Sequence, residues 1–273
     1  MAVMKHVLAR LNRPLFERTR CAKHNLLDLK YFRVRYKGAA AGYEVSTPSG
    51  VTLRFPHYPY LAFHDIEGYI RQGEWSLQPD MTVVDAGGCY GEFAIYAAKC
   101  VGPSGRVLML EPDPANIAVA SKVFAMNGNP PNLKIVPAGL WREPGKLRFN
   151  AGQDAQSAID PGDNATAPGS AIEIDVHSLP SLVDKYRLTR LDFVKMDIEG
   201  AELEVIRATA ALPPTLRPRY AIASYHIVDG RPTADSLPGL FARFGYRCEQ
   251  GYPNHLTTWA SPANSVSSAR ANV

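Results

Sequence analysis

The chain has 273 residues, 46% of them hydrophobic and 21% charged, with a formal net charge of +4. This is ordinary globular usage. It excludes wholesale disorder and allows one sizeable core. The longest purely apolar run, residues 93–98, is six residues long, far short of the ~20 that a membrane-crossing helix needs. No apolar segment with a cleavage site stands at the start, and Cys21, Cys89, Cys100 and Cys248 form no CxxC pair. A reducing, cytoplasmic setting without disulfides or a zinc site is therefore expected.

Residues 1–40 hold ten Lys/Arg against only Glu17 and Asp28, so the rest of the chain is net acidic. A solvated amphipathic helix packed on the body is the expectation for this basic arm. Peripheral contact with a membrane surface is the alternative, and nucleic acid is a minor one. Region 1–75 reads as helix and hairpin, and it is expected to carry substrate choice or subunit contacts in a homo-oligomer. Residues 43–46 and 51–55 flank the turn-like Thr47-Pro48-Ser49-Gly50. A helix is predicted over 64–72, with Ile66, Tyr69 and Ile70 on one face.

From Met81 short apolar runs alternate with helical segments. Strands are predicted at 82–84, 106–110, 133–136, 191–196 and 220–224, and helices at 91–100, 113–127, 179–187 and 199–210. Asp113 and Pro114 suit an N-cap and a first helical turn. Leu203, Ile206 and Ala210 define a buried helix face. This alternation argues for an α/β fold with a largely parallel sheet. The runs 246–249 and 255–260 fit an antiparallel edge hairpin. The main domain is placed at 76–260, with a flexible tail at 261–273. Residues 150–171, rich in Gly, Asp, Asn, Pro and Ser, read equally as a binding loop or a surface insertion between short strands at 146–149 and 172–176.

Four motifs carry chemistry. The first is Asp85-Ala86-Gly87-Gly88-Cys89-Tyr90-Gly91, a strand end, a glycine-rich turn and a helix start. The G-x-G-x-x-G spacing of a dinucleotide site fails, because its second and third glycines would fall on Cys89 and Glu92. Asp85 would repel a pyrophosphate and suits the cationic amino-acid end of a ligand. The second is Glu111-Pro112-Asp113, where Glu111 stands 20 residues after Gly91 and can accept hydrogen bonds from a ribose diol. The third is Asp197-Ile198-Glu199-Gly200-Ala201-Glu202, whose acids fit either a helix dipole or a hard cation such as Mg²⁺. The fourth is His226, after the next strand, placed for general-base work. All four motifs end predicted parallel strands, so they should line one edge of the sheet, where ligands bind.

With these residues the chain resembles the FkbM-type family of class I S-adenosylmethionine (SAM)-dependent methyltransferases. The resemblance covers about residues 80–226. It rests on the glycine turn, on Glu111-Pro112-Asp113-Pro114-Ala115-Asn116, and most specifically on residues 194–202, Val-Lys-Met-Asp-Ile-Glu-Gly-Ala-Glu. It implies a Rossmann-like seven-stranded sheet, mostly parallel, with helices on both faces. It also implies O-methylation of a small hydroxylated acceptor such as a sugar or polyketide. Carried over, Asp85, Gly87, Gly88, Cys89 and Gly91 would hold the methionine end, and Glu111 the ribose, with Pro112, Asp113 and Gly139 nearby. Asp197 would sit near the transferred methyl. Asp197, His226 and Glu199 are the candidate catalytic residues, and Asp197, Glu199 and Glu202 the candidate metal ligands. The family usually has Asn where this chain has Cys89. A nicotinamide-dependent oxidoreductase, a SAM-binding protein without turnover, and a nucleic-acid methyltransferase are the alternatives.

Overall fold

The computed structural model describes residues 13–27, 33–59, 66, 68–71, 73–151, 158–160, 171–251 and 255–263. The basic arm contains helix α1 (Arg13–Leu27), followed by strands β1 (Arg33–Gly38), β2 (Gly42–Ser46) and β3 (Thr52–Phe55). The helix turns Glu17 and Cys21 inward and leaves Arg18, Arg20 and Lys23 exposed. The strands form an antiparallel sheet in which Val34 faces Val45 and Val45 faces Leu53. All three are buried. The expected hairpin turn is closed by Gly50 N–H to Thr47 O and by Val51 N–H to Thr47 Oγ1, each 3.0 Å. Of the helix predicted over 64–72, Ile66, Gly68 and Tyr69 are helical, and most of the rest lies outside the described residues.

The alternating region begins with β4 (Thr82–Ala86), α2 (Glu92–Val101), β5 (Arg106–Leu110), α3 (Pro114–Met126) and β6 (Leu133–Val136). A side excursion follows: β7 (Gly139–Leu140), β8 (Gly145–Asn150), β9 (Ala158–Asp160) and β10 (Ala171–His177). The main wind resumes with α4 (Leu179–Tyr186), β11 (Phe193–Met196), α5 (Glu202–Ala208) and β12 (Arg219–Ala223). A small ribbon, β13 (Ile227–Val228) with β14 (Arg231–Pro232), precedes α6 (Leu237–Arg243), β15 (Tyr246–Gly251) and β16 (Thr257–Pro262).

The main sheet has seven strands in the order β15-β16-β12-β11-β4-β5-β6. Strands β4, β5, β6, β11 and β12 are parallel, while β16 runs antiparallel to both β12 and β15. Period-two alternation sends strand side chains to opposite faces. Val83, Val107, Met109 and Phe193 join one core with α2, α3 and the β1–β3 sheet. Val84, Leu108, Leu110, Val194 and Met196 join a second core with α4, α5 and α6. Strand order reverses between β4 and β11, and the crevice beyond the C-terminal ends of these two strands is where doubly wound sheets bind ligands.

The expected α/β sheet and its edge hairpin are present. Four details differ. Ala210, expected on the buried face of the helix after β11, is exposed in a 3-10 turn (Thr209–Ala211) beyond the helix end at Ala208. Helix α5 starts at Glu202 rather than 199, because Glu199 (φ 54°) and Gly200 (φ 101°) are left-handed and cannot continue a helix. Helix α6 was not expected, because Pro238 and Gly239 interrupt its pattern. Strand β16 extends through Pro262 into the predicted tail, whose residues 264–273 lie outside the described residues. Most of the 150–171 loop, at 152–157 and 161–170, also lies outside them. Among the described residues no helix is long and apolar enough to cross a membrane.

Candidate active site

The glycine turn leaves β4 and enters α2. Gly87 (φ 72°) and Gly91 (φ 77°) take the left-handed conformation that glycine tolerates. A Cβ at Gly87 would stand 1.8 Å from the Asp197 carbonyl oxygen, so the turn lies directly against the end of β11. Cys89 is also left-handed (φ 46°), a conformation Asn adopts more readily than Cys. The N–H groups of Gly87 and Gly88 donate to Leu110 O, that of Cys89 to Glu111 Oε2 (2.7 Å), and that of Gly91 to Gly88 O. The first three N–H groups of the turn are thus tied to the end of β5.

Beneath it lies an ion pair. Asp85 is fully buried, and its Oδ1 is 3.1 Å from Nζ of Lys195, which is 2% exposed and also donates to Gly87 O at 2.7 Å. Burial raises the Asp85 pKa, and Lys195 opposes the rise. The acid expected to meet the methionine end of a ligand therefore has a protein partner under the turn. Glu111, at the end of β5, is buried too. It accepts from Cys89 N–H, from Asp113 N–H (2.8 Å) and from the Asn116 amide (3.4 Å). Burial, opposed by these bonds, pushes its pKa up to about 7. Asp113 caps α3 through Ala115 N–H, as its sequence position predicts. Pro112 is half-buried beside it, and Gly139 is paired with Val176 in the flanking sheet.

The third group joins the ends of β11 and β12. His226 Nε2 lies 3.3 Å from Asp197 and 3.5 Å from Glu199, and its Nδ1 lies 2.9 Å from Glu202 Oε1. The ring nitrogens sit at ion-pair distance but off the line of a hydrogen bond. Burial alone would lower the His226 pKa, but the three carboxylates outweigh it and push it up to about 12. Three acids facing both ring nitrogens favour the charged imidazolium over the neutral imidazole expected of a general base. Burial would raise Asp197, yet His226, Lys195 and Tyr69 hold it well below the usual carboxylate range. The candidate metal set also changes. The ligand atoms that lie within 4.8 Å of one another belong to Asp197, Glu199 and His226. Glu202 instead accepts from Ile198 N–H (3.1 Å) and holds the other face of the imidazole.

The profile of the methyltransferase FkbM domain matches residues 85–248, more than half of the chain. The chain belongs to the FkbM methyltransferase family. Two curated relatives are similar over about half of it. Methyltransferase sdnD of Sordaria araneosa is 29% identical over 161 residues, covering 48% of this chain and 61% of that protein. Methyltransferase 1 of Beauveria bassiana is 26% identical over 146 residues, covering 47% and 58%. The chain thus spans less than two thirds of the length of these relatives. Among solved structures, an FkbM methyltransferase of Methylobacillus flagellatus has a TM-score of 0.47 at 20% identity, with 74% of this chain and 48% of that one covered. Fibrillarin of Aeropyrum pernix, solved with bound S-adenosylmethionine, has a TM-score of 0.45 at 13% identity, with 80% and 93% covered.

Side chains that the sequence motifs did not mark also reach this edge, Tyr69 and His57 from before the matched region and Tyr225 from within it. The Tyr69 hydroxyl donates to Asp197 Oδ2 at 2.9 Å, and the exposed Tyr225 reaches Asp197 Oδ1 at 3.5 Å. His57 Nε2 lies 3.1 Å from Glu92, the buried first residue of α2, with its ring edge-on to Tyr90 in the glycine turn. Tyr69 was legible only as an apolar residue on a helix face, and no spacing in the sequence marks His57. Asn129-Pro130-Pro131-Asn132, similar to an amino-methyltransferase motif, is the turn between α3 and β6.

Proposed function

We propose that this FkbM-family chain transfers a methyl group from S-adenosylmethionine to a hydroxyl group of a small molecule, such as a sugar or polyketide. One observation carries the reading: Glu111, the glycine turn and the Asp197–Glu199–His226 cluster stand at the ends of adjacent parallel strands, around the switch point. The donor set suits this cofactor. A row of carboxylates favours a sulfonium and an ammonium, and Glu111 has lone pairs for a ribose diol. The Gly87, Gly88 and Cys89 N–H groups, tied to the end of β5, are a poor match for the pyrophosphate of a nicotinamide dinucleotide.

The cofactor supplies an electrophilic methyl on its sulfonium sulfur. The chain's part is to hold the acceptor oxygen in line and to take its proton. Alignment of this kind supplies much of the rate enhancement. Glu199 is the proton acceptor in this reading, since its carboxylate is 25% exposed at the rim while Glu202 is sealed. His226 draws the carboxylates together. A divalent cation could take the place of its Nε2 proton. One imidazole with two carboxylates suits Mn²⁺ or Zn²⁺ better than Mg²⁺.

The test combines binding and turnover. Calorimetry with the methyl donor, its demethylated product and NADH is expected to show micromolar binding of the first two, weakened at least about tenfold in Glu111→Ala. Isotope-labelled donor should deliver its methyl to a hydroxylated acceptor as a stable ether. Binding of NADH alone would overturn the reading. Exhaustive EDTA treatment decides between proton and cation: unchanged turnover leaves His226 as the charge of the cluster.

A further inference from the structure

The family match covers residues 85–248. Two buried side chains from outside that span, Tyr69 before it and His255 after it, meet behind Asp197. Tyr69 is fully buried and His255 is 7% exposed. The Tyr69 hydroxyl donates to Asp197 Oδ2 at 2.9 Å, and the same oxygen lies 3.2 Å from His255 Nε2. On the far side of the ring, His255 Nδ1 is 3.2 Å from Thr257 Oγ1, whose hydroxyl donates to Gly68 O at 2.7 Å. The loop closes on itself, because Gly68 directly precedes Tyr69. A Cβ at Gly68 would stand 2.7 Å from His255 Nδ1, so the backbone approaches the imidazole as closely as glycine permits. The Tyr69 main chain is fixed as well, by Trp259 Nε1–H donating to its carbonyl at 3.1 Å. Its ring packs edge-on against Phe93 of α2, and Lys195 Nζ lies 5.2 Å from the ring centroid.

We infer that Tyr69 is a positioning residue for methyl transfer, aiming the Asp197 carboxylate from a phenol that His255 clamps from behind. The inference rests on the methyltransferase reading above. A core tyrosine needs only one partner for its hydroxyl, and many would serve. Here the phenol is held at its carbonyl, its ring and its oxygen, and the oxygen is aimed at the carboxylate that ends β11. Asp197 has one oxygen on the His226 side and the other on Tyr69. Without the phenol, Oδ2 loses its hydrogen-bond donor and the carboxylate is held from the His226 and Tyr225 side alone. The direction in which it faces His226 is then less firmly set.

Tyr69→Phe keeps the ring and removes only the oxygen. The expected result is a fall in kcat of about 100-fold, the scale of a one-ångström misplacement, with affinities for the methyl donor and its product within about threefold of the parent. His255→Asn, which keeps a polar group but not the reach of the ring, should fall by about tenfold. A parent-like kcat in Tyr69→Phe would overturn the inference. So would an equal loss of kcat and donor affinity, which would mark Tyr69 as support for the binding pocket alone. If the parent turns over no acceptor, the methyltransferase reading fails separately. Crystal structures of the parent and Tyr69→Phe then decide the inference. A rotated Asp197 carboxylate supports it, and a carboxylate unmoved within about 0.5 Å overturns it.

Discussion

At the scale of single residues, a buried carboxylate with a raised pKa needs a reason to be kept. Glu111 has one: it fixes Cys89 and Asp113 and faces the place proposed for a ribose. Its pKa is about 7 in the fold, against 4.5 for the free group. The folded protein therefore holds this proton more tightly than the unfolded chain. The associated stability is fully present below pH 4.5 and is lost as the pH rises through 7, at a total of roughly 3 kcal/mol. Glu111→Gln removes the ionisation while keeping an acceptor oxygen. The variant should gain on the parent by up to about that amount between pH 4.5 and pH 8, measured as the difference in urea unfolding free energy. A difference that is flat with pH would show that Glu111 ionises as freely in the fold as in the unfolded chain. The strand-end acids were readable in the sequence because parallel strands deliver their C-terminal residues to one edge. The surroundings of His226 were not, because three carboxylates converge on its ring only once β11 and β12 are paired.

At the scale of elements, strand β5 coincides with its apolar run because a central parallel strand is buried on both faces, whereas edge strand β6 buries only Val136 and exposes Lys134. Strand β1, Arg-Val-Arg-Tyr-Lys-Gly, lacks such a run, and only its pairing with β2 shows what it is. The pairing of β4 with β11 places Asp85 beside Lys195 in register, below the glycine turn. Removing one member of such a buried pair leaves an uncompensated charge, at a cost of about 3–5 kcal/mol, whereas replacing both is often nearly neutral. Lys195→Met should therefore destabilise the protein by that amount. The double variant Lys195→Met with Asp85→Asn should recover more than half of it. Urea midpoints of the parent, both single variants and the double variant test this. Purely additive effects would mean that the two charges do not stabilise one another. The Lys195 bond to Gly87 O is lost in the double variant as well, so its glycine turn should remain looser, and donor affinity should stay below that of the parent even where stability returns.

At the scale of the whole molecule, the start of strand–helix alternation after residue 75 suggests an arm and a body, but the packing runs across it. Val34, Val45, Leu53 and Phe55 from the β1–β3 sheet share a single core with Phe93, Ala94 and Tyr96 of α2 and with Trp259 of β16. Polar contacts cross the same line: Asn127 at the end of α3 exchanges hydrogen bonds with the Arg54 backbone, and His57 meets Glu92. The sequence could not show this, because the contacts join residues up to about 190 positions apart, as between Tyr69 and Trp259. A helix face completed by a distant sheet cannot stay buried without it. A chain shortened to begin at residue 76 would expose the apolar side of α2. It is expected to lose its cooperative urea transition and to bind a hydrophobic dye, while the full chain unfolds in one step by tryptophan fluorescence and far-ultraviolet circular dichroism alike. Retention of a sharp transition with an unchanged midpoint in the shortened chain would show that the seven-stranded sheet and its helices complete their own core, leaving the β1–β3 sheet to serve the site alone through His57 and the segment that carries Tyr69.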